Sequence, residues 1–237
     1  MSLDSTIRAN LEDVRRRLAQ AAGHAGRDPA DVRLVAVSKT FGPDHVRAAV
    51  AAGQADFGEN RVQEALQKIG QTADLEIRWH LVGHLQSNKA RKAVPAFAAI
   101  HSVDRLDLLE RLDSAAAELG VSPDVLVQVD LARESTKSGA TPDEARALVA
   151  AAAKCRAVRL AGLMLLPPFF DDAEDVRPYF VRLRRLRDKM AASDAPAGLL
   201  RELSMGMSHD FEVAVEEGAT IVRIGTAIFG ARPPVTT

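Results

Sequence analysis

A lysine stands where the first short apolar run of the chain ends. Residues 34–37 are all apolar and include two valines, which predicts a short buried strand, and Lys39 follows closely. Gly42 and Pro43 then favour a turn that opens a helix. An amine at the carboxyl end of a buried strand can attack a carbonyl and form a Schiff base. On this motif alone, a lysine that merely extends its ammonium group into solvent is the simpler interpretation.

Small residues in two later stretches suit the binding of an anion. Ser204 and Gly206 end or follow one predicted strand, while Gly225 and Thr226 follow the last one, directly after Arg223. Small residues leave backbone N–H groups accessible, and arginine adds a permanent positive charge. Glycines can also serve only to permit tight turns. Two such loops together with a strand-end lysine favour a phosphate-binding cup.

Strands and helices alternate along the chain after a first amphipathic helix, which is predicted at 4–25. Parallel strands joined by helices, eight times in this length, match a (β/α)8 TIM barrel formed as a single domain over 1–237. A doubly wound sheet is the alternative, but no Gly-x-Gly-x-x-Gly follows the first strand. The eight predicted strands are 33–37, 55–57, 78–82, 98–102, 124–129, 159–164, 202–205 and 220–224.

Composition excludes several classes of function. The net charge of -1 argues against a nucleic-acid binder, and no apolar run is long enough to span a membrane. Cys155 is the only cysteine, which excludes an intrachain disulfide and suggests a cytoplasmic protein. His84 and His101 have no metal-ligand spacing with carboxylates, so we expect no metal.

Longer motifs carry a resemblance to a known family. The chain resembles the YggS/PROSC family of pyridoxal phosphate homeostasis proteins over almost its whole length. That family shares its barrel with the N-terminal domain of alanine racemase. The matching motifs lie at 37–39, 58–64, 79–89, 134–139, 162–164, 203–208 and 222–230.

The resemblance implies a cofactor site for pyridoxal 5′-phosphate (PLP) at the carboxyl ends of the strands. It implies that Lys39 carries PLP as a Schiff base and that Arg223 faces the pyridine nitrogen. The other residues that it implies are Ser204, Gly225 and Thr226, which would bind the phosphate largely through backbone N–H groups, and Asn60 and His80 near the ring. Without the resemblance, His80 would be interpreted as a buried core histidine.

The family implies a protein that holds PLP and delivers it, with no catalytic residue. We therefore expect a monomer whose partners are PLP and apo PLP-dependent enzymes. Two alternatives stay open: a PLP-dependent amino-acid racemase, and an aldolase that uses Lys39 without a cofactor. A racemase of this fold needs a second acid/base group, usually a tyrosine from an added domain. The only tyrosine, Tyr179, falls in a predicted outer helix at 172–190.

Arg223 helps to distinguish a PLP storage protein from a PLP-dependent racemase. Arginine can only donate hydrogen bonds, so it should leave the pyridine nitrogen unprotonated and the ring a weaker electron sink. That property suits storage better than amino-acid chemistry. A second lysine, Lys137, lies in the loop after predicted strand 5 and could take the cofactor from Lys39 by transimination. The alternative for Lys137 is an ordinary solvated loop lysine beside Glu134.

Overall fold

Eight parallel strands close into a barrel in sequence order, which confirms the predicted fold. The structure is a computed structural model that describes residues 2–132, 138–193, 196 and 198–231. The last strand pairs in parallel with the first and closes the barrel. The strands are β1 Arg33–Val37, β2 Asp56–Glu59, β3 Arg78–Leu81, β4 Ala99–Val103, β5 Asp124–Val129, β6 Arg159–Leu165, β7 Glu202–Ser204 and β8 Ile221–Ile224.

Each strand is followed by a helix, and one helix precedes the barrel. The first helix buries Ile7, Leu11, Val14 and Leu18, which recur at helical spacing, and Ser2 caps it by accepting from the Ser5 N–H. The helices are α1 Leu3–His24, α2 Pro43–Ala51, α3 Val62–Gln71, α4 Ala90–Ala93, α5 Leu106–Leu119, α6 Pro142–Ala152, α7 Arg177–Ser193, α8 Phe211–Glu216 and α9 Thr226–Phe229.

Most strand boundaries differ from the sequence prediction by one or two residues, and two differences have a clear structural basis. Strand β2 continues through Gly58 to Glu59, although glycine is a turn signal. A Cβ on Gly58 would lie 3.0 Å from a methyl carbon of Val35, so the strand needs glycine there to make room for its neighbour. The helix predicted at 172–190 begins instead as a 3-10 turn, Ala173–Val176, and becomes α-helical at Arg177.

Apolar residues form two separate cores. The larger one lies between the barrel and its helices, and the smaller one, Val35, Leu126, Met164 and Ile221, lies inside the barrel. Burying each large apolar side chain contributes about 1.5–3 kcal/mol, so the outer layer supplies most of the stability. The small inner core leaves the rest of the barrel interior to polar side chains.

Gly162 offers a test of how closely the barrel strands pack. A Cβ at this position would lie 1.9 Å from the backbone oxygen of Glu202, which pairs with Gly162 across β6 and β7. We expect Gly162→Ala to lower the free energy of unfolding by about 3 kcal/mol or more, because backbone must move. In Gly70→Ala, nothing lies within 4 Å of the new carbon, so this helical substitution should stabilise by about 0.5–1 kcal/mol. Equal urea midpoints for the two variants would contradict the packing.

Candidate cofactor site

Lys39 and the loop after β8 lie at the same end of the barrel. Strands β1 and β8 are neighbours, with Ala36 opposite Ile224. A Cβ on Gly225 would lie 3.3 Å from the carbonyl oxygen of Val37, so Gly225 packs against the end of β1. Lys39 is half-buried two residues further on, and Thr40 after it adopts a left-handed conformation with φ 71°.

Ser208 lies between the loops that follow β7 and β8. Its Oγ accepts hydrogen bonds from the N–H groups of Gly225 (3.2 Å) and Ala227 (3.3 Å). Two N–H groups and one hydroxyl therefore lie close together, and a phosphate would accept from the N–H groups in place of the Ser208 oxygen. Gly206 makes this approach feasible, because it has φ 93° and a Cβ there would lie 2.6 Å from the Cβ of Ala214.

Sequence reasoning missed Ser208. It selected Ser204, whose small side chain also suits an anion, and the two serines are four residues apart in the same segment. Its position in the sequence could have indicated this, because Ser208 lies four residues past the end of β7, in the loop that turns toward the loop after β8. Of the other predicted phosphate residues, Thr226 is exposed and Gly225 is half-buried at the same loop pair.

Arg223 is buried inside the barrel below these loops. Its Nη1 donates to the Ser204 Oγ (2.6 Å) and its Nη2 to the carbonyl oxygen of Leu165 (2.8 Å). Burial lowers the pKa of Arg223 to about 10, against the opposing effect of the Asp210 charge. The guanidinium is therefore a full positive charge at neutral pH, held between the carboxyl ends of β6 and β7.

Ser204 and His80 lie deeper in the barrel than the sequence suggested. The fully buried Ser204 hydroxyl is already engaged by Arg223 and by the Nδ1 of His101 (2.8 Å). Both ring nitrogens of His80 also have partners: Nε2 lies 2.9 Å from Asp56 Oδ1, and Nδ1 lies 3.0 Å from His101 Nε2. Asp56 is the first residue of β2, so His80 extends toward the amino-terminal end of the barrel.

Asn60 follows β2 at the carboxyl end and is half-buried. The loop after β3 packs directly on it, since a Cβ on Gly83 would lie 2.3 Å from the backbone oxygen of Asn60. Its placement beside a cofactor ring stays a prediction.

A buried ion pair supports the turn that carries Lys39. The fully buried Glu59 Oε1 accepts from the Ser38 hydroxyl (2.7 Å) and from the Lys68 ammonium (2.5 Å). Lys68 also donates to the Ser38 carbonyl oxygen (2.9 Å). Within the described part of the chain, the second Glu59 oxygen has no hydrogen-bond partner. Strand β2 and helix α3 thereby fix the residue that precedes Lys39.

Three other sequence expectations concern residues away from this end of β1. Tyr179 lies on α7, which packs on β6 and β7 from outside, and its ring contacts Phe170 with centroids 5.8 Å apart. Lys137 lies outside the described residues. Among the residues described, no group of three His, Cys, Asp or Glu side chains could hold a metal ion, and no helix could cross a membrane.

The barrel and its polar end define a class of protein. Its barrel has eight parallel strands, a lysine after β1 and an anion-suited pair of loops after β7 and β8. The family model described as "Alanine racemase, N-terminal domain" matches residues 9–233.

Individual relatives identify the family within this class of barrel proteins. The chain is 47% identical over 229 residues to the pyridoxal phosphate homeostasis protein of Pseudomonas aeruginosa, covering 96% of each chain. It is 43% identical over 222 residues to that of Aquifex aeolicus, covering 94% of this chain and 96% of the relative. The structure of PipY from Synechococcus elongatus PCC7942 with PLP bound superposes with a TM-score of 0.85 at 42% identity, covering 94% of this chain and 100% of that one. The chain belongs to the family of pyridoxal phosphate homeostasis proteins.

The buried Glu59–Lys68 pair makes a stability prediction. Lys68→Met should lower the free energy of unfolding by about 3–5 kcal/mol, because it leaves the Glu59 carboxylate buried and uncompensated. Adding Glu59→Gln should recover most of the loss, since the buried charge is then gone. Arg47→Met, which removes an exposed ion pair with Asp74, should change urea unfolding little. If Lys68→Met costs no more than Arg47→Met, Lys68 does not compensate Glu59.

Proposed function

We propose that this chain binds PLP at the carboxyl end of its barrel and serves PLP homeostasis. The observation that carries the proposal is the neighbourhood of Lys39, the Gly225 and Ala227 N–H groups, and the buried Arg223 at the ends of β1 and β8. PLP presents an aldehyde, a phosphate and a pyridine nitrogen. These three groups match an amine, a cluster of N–H and O–H donors, and a guanidinium.

Each residue has a distinct task in this proposal. Lys39 supplies the amine that forms a Schiff base with the aldehyde, with loss of water. Ser204, Gly225 and Thr226 bind the phosphate largely through backbone N–H groups, with Ser208 beside them. The Ser204 hydroxyl itself accepts from Arg223. The absent Cβ atoms of Gly206 and Gly225 provide the room that a close approach to phosphate needs.

Arg223 decides what chemistry the site supports. PLP when bound is an electron sink for amino-acid carbanions, and a protonated pyridine nitrogen strengthens that property. Arg223 can only donate to the nitrogen, so it keeps that nitrogen free of a proton. Two hydrogen bonds inside the barrel hold the guanidinium in place, so it cannot move aside to let the pyridine nitrogen take up a proton.

We propose storage and delivery of PLP rather than catalytic turnover. The relatives named as homeostasis proteins match this chain over nearly its full length. A racemase would need a second acid/base group opposite Lys39, and Tyr179, the only tyrosine of the sequence, packs outside the barrel. The recipients would be apo PLP-dependent enzymes of the cytoplasm, served by a monomer. A racemase is the alternative, and measurable turnover on a panel of amino acids would favour it.

Lys39→Ala is the direct test of PLP binding. We expect the variant to lose the visible absorption band of PLP-loaded protein while keeping its urea midpoint, because Lys39 is a strand-end residue and not part of the core. Lys89→Ala removes another half-buried lysine and should bind PLP like the wild type. After borohydride reduction, mass spectrometry should find the adduct on the peptide with Lys39. An adduct only on another lysine would overturn the assignment.

Ser208→Ala tests the phosphate cup. We expect PLP binding to weaken about tenfold or more, since a hydrogen bond to a charged group contributes about 1.5–3 kcal/mol. The dissociation constant of inorganic phosphate, measured by its competition with PLP, should rise by a similar factor, because the lost donor contacts the phosphate group in both ligands. Ser122→Ala, in which the lost hydroxyl donates to the Ala157 carbonyl oxygen, is the matched control. Unchanged affinities for Ser208→Ala would remove Ser208 from the cup.

A further inference from the structure

A continuous chain of hydrogen bonds crosses the barrel interior from Arg223 to Asp56. His101 lies on β4 and Ser204 on β7, which are not neighbouring strands, so the bond between them spans the inside of the barrel. The separations along the chain are Arg223 Nη1 to Ser204 Oγ 2.6 Å, Ser204 Oγ to His101 Nδ1 2.8 Å, His101 Nε2 to His80 Nδ1 3.0 Å, and His80 Nε2 to Asp56 Oδ1 2.9 Å.

The two ends of this chain determine the position of every hydrogen. Arg223 can only donate, and an ionised Asp56 can only accept. Burial alone would raise the pKa of Asp56, but hydrogen bonds from His80 and Arg78 outweigh it and hold the pKa below its usual value. His80 must therefore carry its proton on Nε2 to donate to Asp56.

The two imidazoles lie between these ends. Burial lowers the pKa of His101 well below its usual value, with the His80 and Arg223 side chains adding to the effect, so His101 is neutral. Asp56 pairs with Arg78 through both carboxylate oxygens, at 2.9 and 2.6 Å, so its charge has a partner besides His80. A chain of hydrogens that runs in one direction requires His80 to be neutral as well. Neutral His80 accepts at Nδ1, which requires His101 to donate from Nε2 and to accept the Ser204 hydroxyl hydrogen at Nδ1.

We propose that Ser204, His101, His80 and Asp56 are positioning residues that fix the Arg223 guanidinium through one ordered chain of hydrogens. Every hydrogen in this chain is donated in the direction of Asp56. The proposal deepens the PLP-binding function and rests on it for the contact between Arg223 and the cofactor. It also gives His80 a role that does not require contact with the pyridine ring of PLP.

The chain of hydrogen bonds helps to compensate the buried charge of Arg223. Arg223 is 4% exposed, and in the described part of the chain no carboxylate lies within salt-bridge distance of it. The Asp210 charge acts on Arg223 without a hydrogen bond between them. The carboxylate to which hydrogen bonds connect Arg223 is Asp56, which lies with Arg78 at a cavity of about 500 Å³ at the amino-terminal end of the barrel. The chain of hydrogen bonds thereby connects the buried Arg223 at one end of the barrel with Asp56 at the other end, where Asp56 pairs with the solvent-accessible Arg78.

The proton order is testable in the protein without cofactor. Nitrogen NMR of histidine-labelled protein at pH 7, with His80 and His101 assigned by His80→Phe and His101→Phe, reports which ring nitrogens carry hydrogen. We expect both rings to be neutral, with hydrogen on Nε2 and none on Nδ1. Hydrogen on Nδ1 of either ring, or a doubly protonated ring, would overturn the ordered chain.

Asp56→Asn tests whether the Asp56 end of the hydrogen-bond chain affects the proposed PLP site. A carboxamide can donate as well as accept, so it no longer fixes the direction of the chain. We expect a shifted visible absorption maximum of PLP-loaded protein and PLP binding about threefold to tenfold weaker. Asp124→Asn breaks the ion pair with Arg159 at the same cavity without touching the chain, so it should match the wild type.

The outcomes separate this inference from the proposed function. Wild-type spectrum and affinity in a folded Asp56→Asn would overturn the positioning role, and so would equal effects of Asp56→Asn and Asp124→Asn. The fluorescence of Trp79, the single tryptophan, reports folding in every variant. If Asp56→Asn does not fold, the nitrogen NMR of the wild type decides. If wild-type protein does not bind PLP, the proposed function fails while the NMR result still decides the proton order.

Discussion

The burial of one permanent cation inside a closed barrel is the constraint on which the polar interior depends. Arg223 cannot lose its charge at neutral pH, and its place inside the barrel keeps that charge from water. A buried charge without hydrogen bonds would be very costly, so the interior must supply acceptors. Leu165 provides one from the end of β6, and Ser204 provides the other from β7. The histidines then satisfy the serine, and Asp56 satisfies the histidines.

Two buried polar systems hold the two reactive groups of the proposed site. Arg223 is held from inside the barrel, whereas the turn that carries Lys39 is held from outside by Glu59 and Lys68. Both systems join elements that are distant in the sequence, and both end at the carboxyl ends of β1 and β8. A site built this way keeps the Lys39 amine and the Arg223 guanidinium at fixed positions relative to each other.

The parts of the proposed site that the sequence predicts are those with a local signal. Lys39 follows an apolar strand, and Gly225 and Thr226 follow another, so their places could be predicted from periodicity and turn chemistry. Ser208, His101 and Lys68 were missed because nothing local distinguishes them from ordinary polar residues. Ser204 was placed at the phosphate by its small side chain and by the family resemblance, and only the tertiary structure shows that its hydroxyl also meets Arg223 and His101.

The amino-acid sequence by itself determined the alternation of eight strands and helices, and therefore a parallel barrel whose strand ends carry Lys39, Arg223 and Gly225. Local hydrophobic periodicity and turn residues suffice for that, because each strand and helix buries its own apolar face. Only the tertiary structure decided which side chains share the barrel interior. Barrel closure brings β4 and β7 face to face, and the bond between His101 and Ser204 depends on that closure rather than on spacing along the chain.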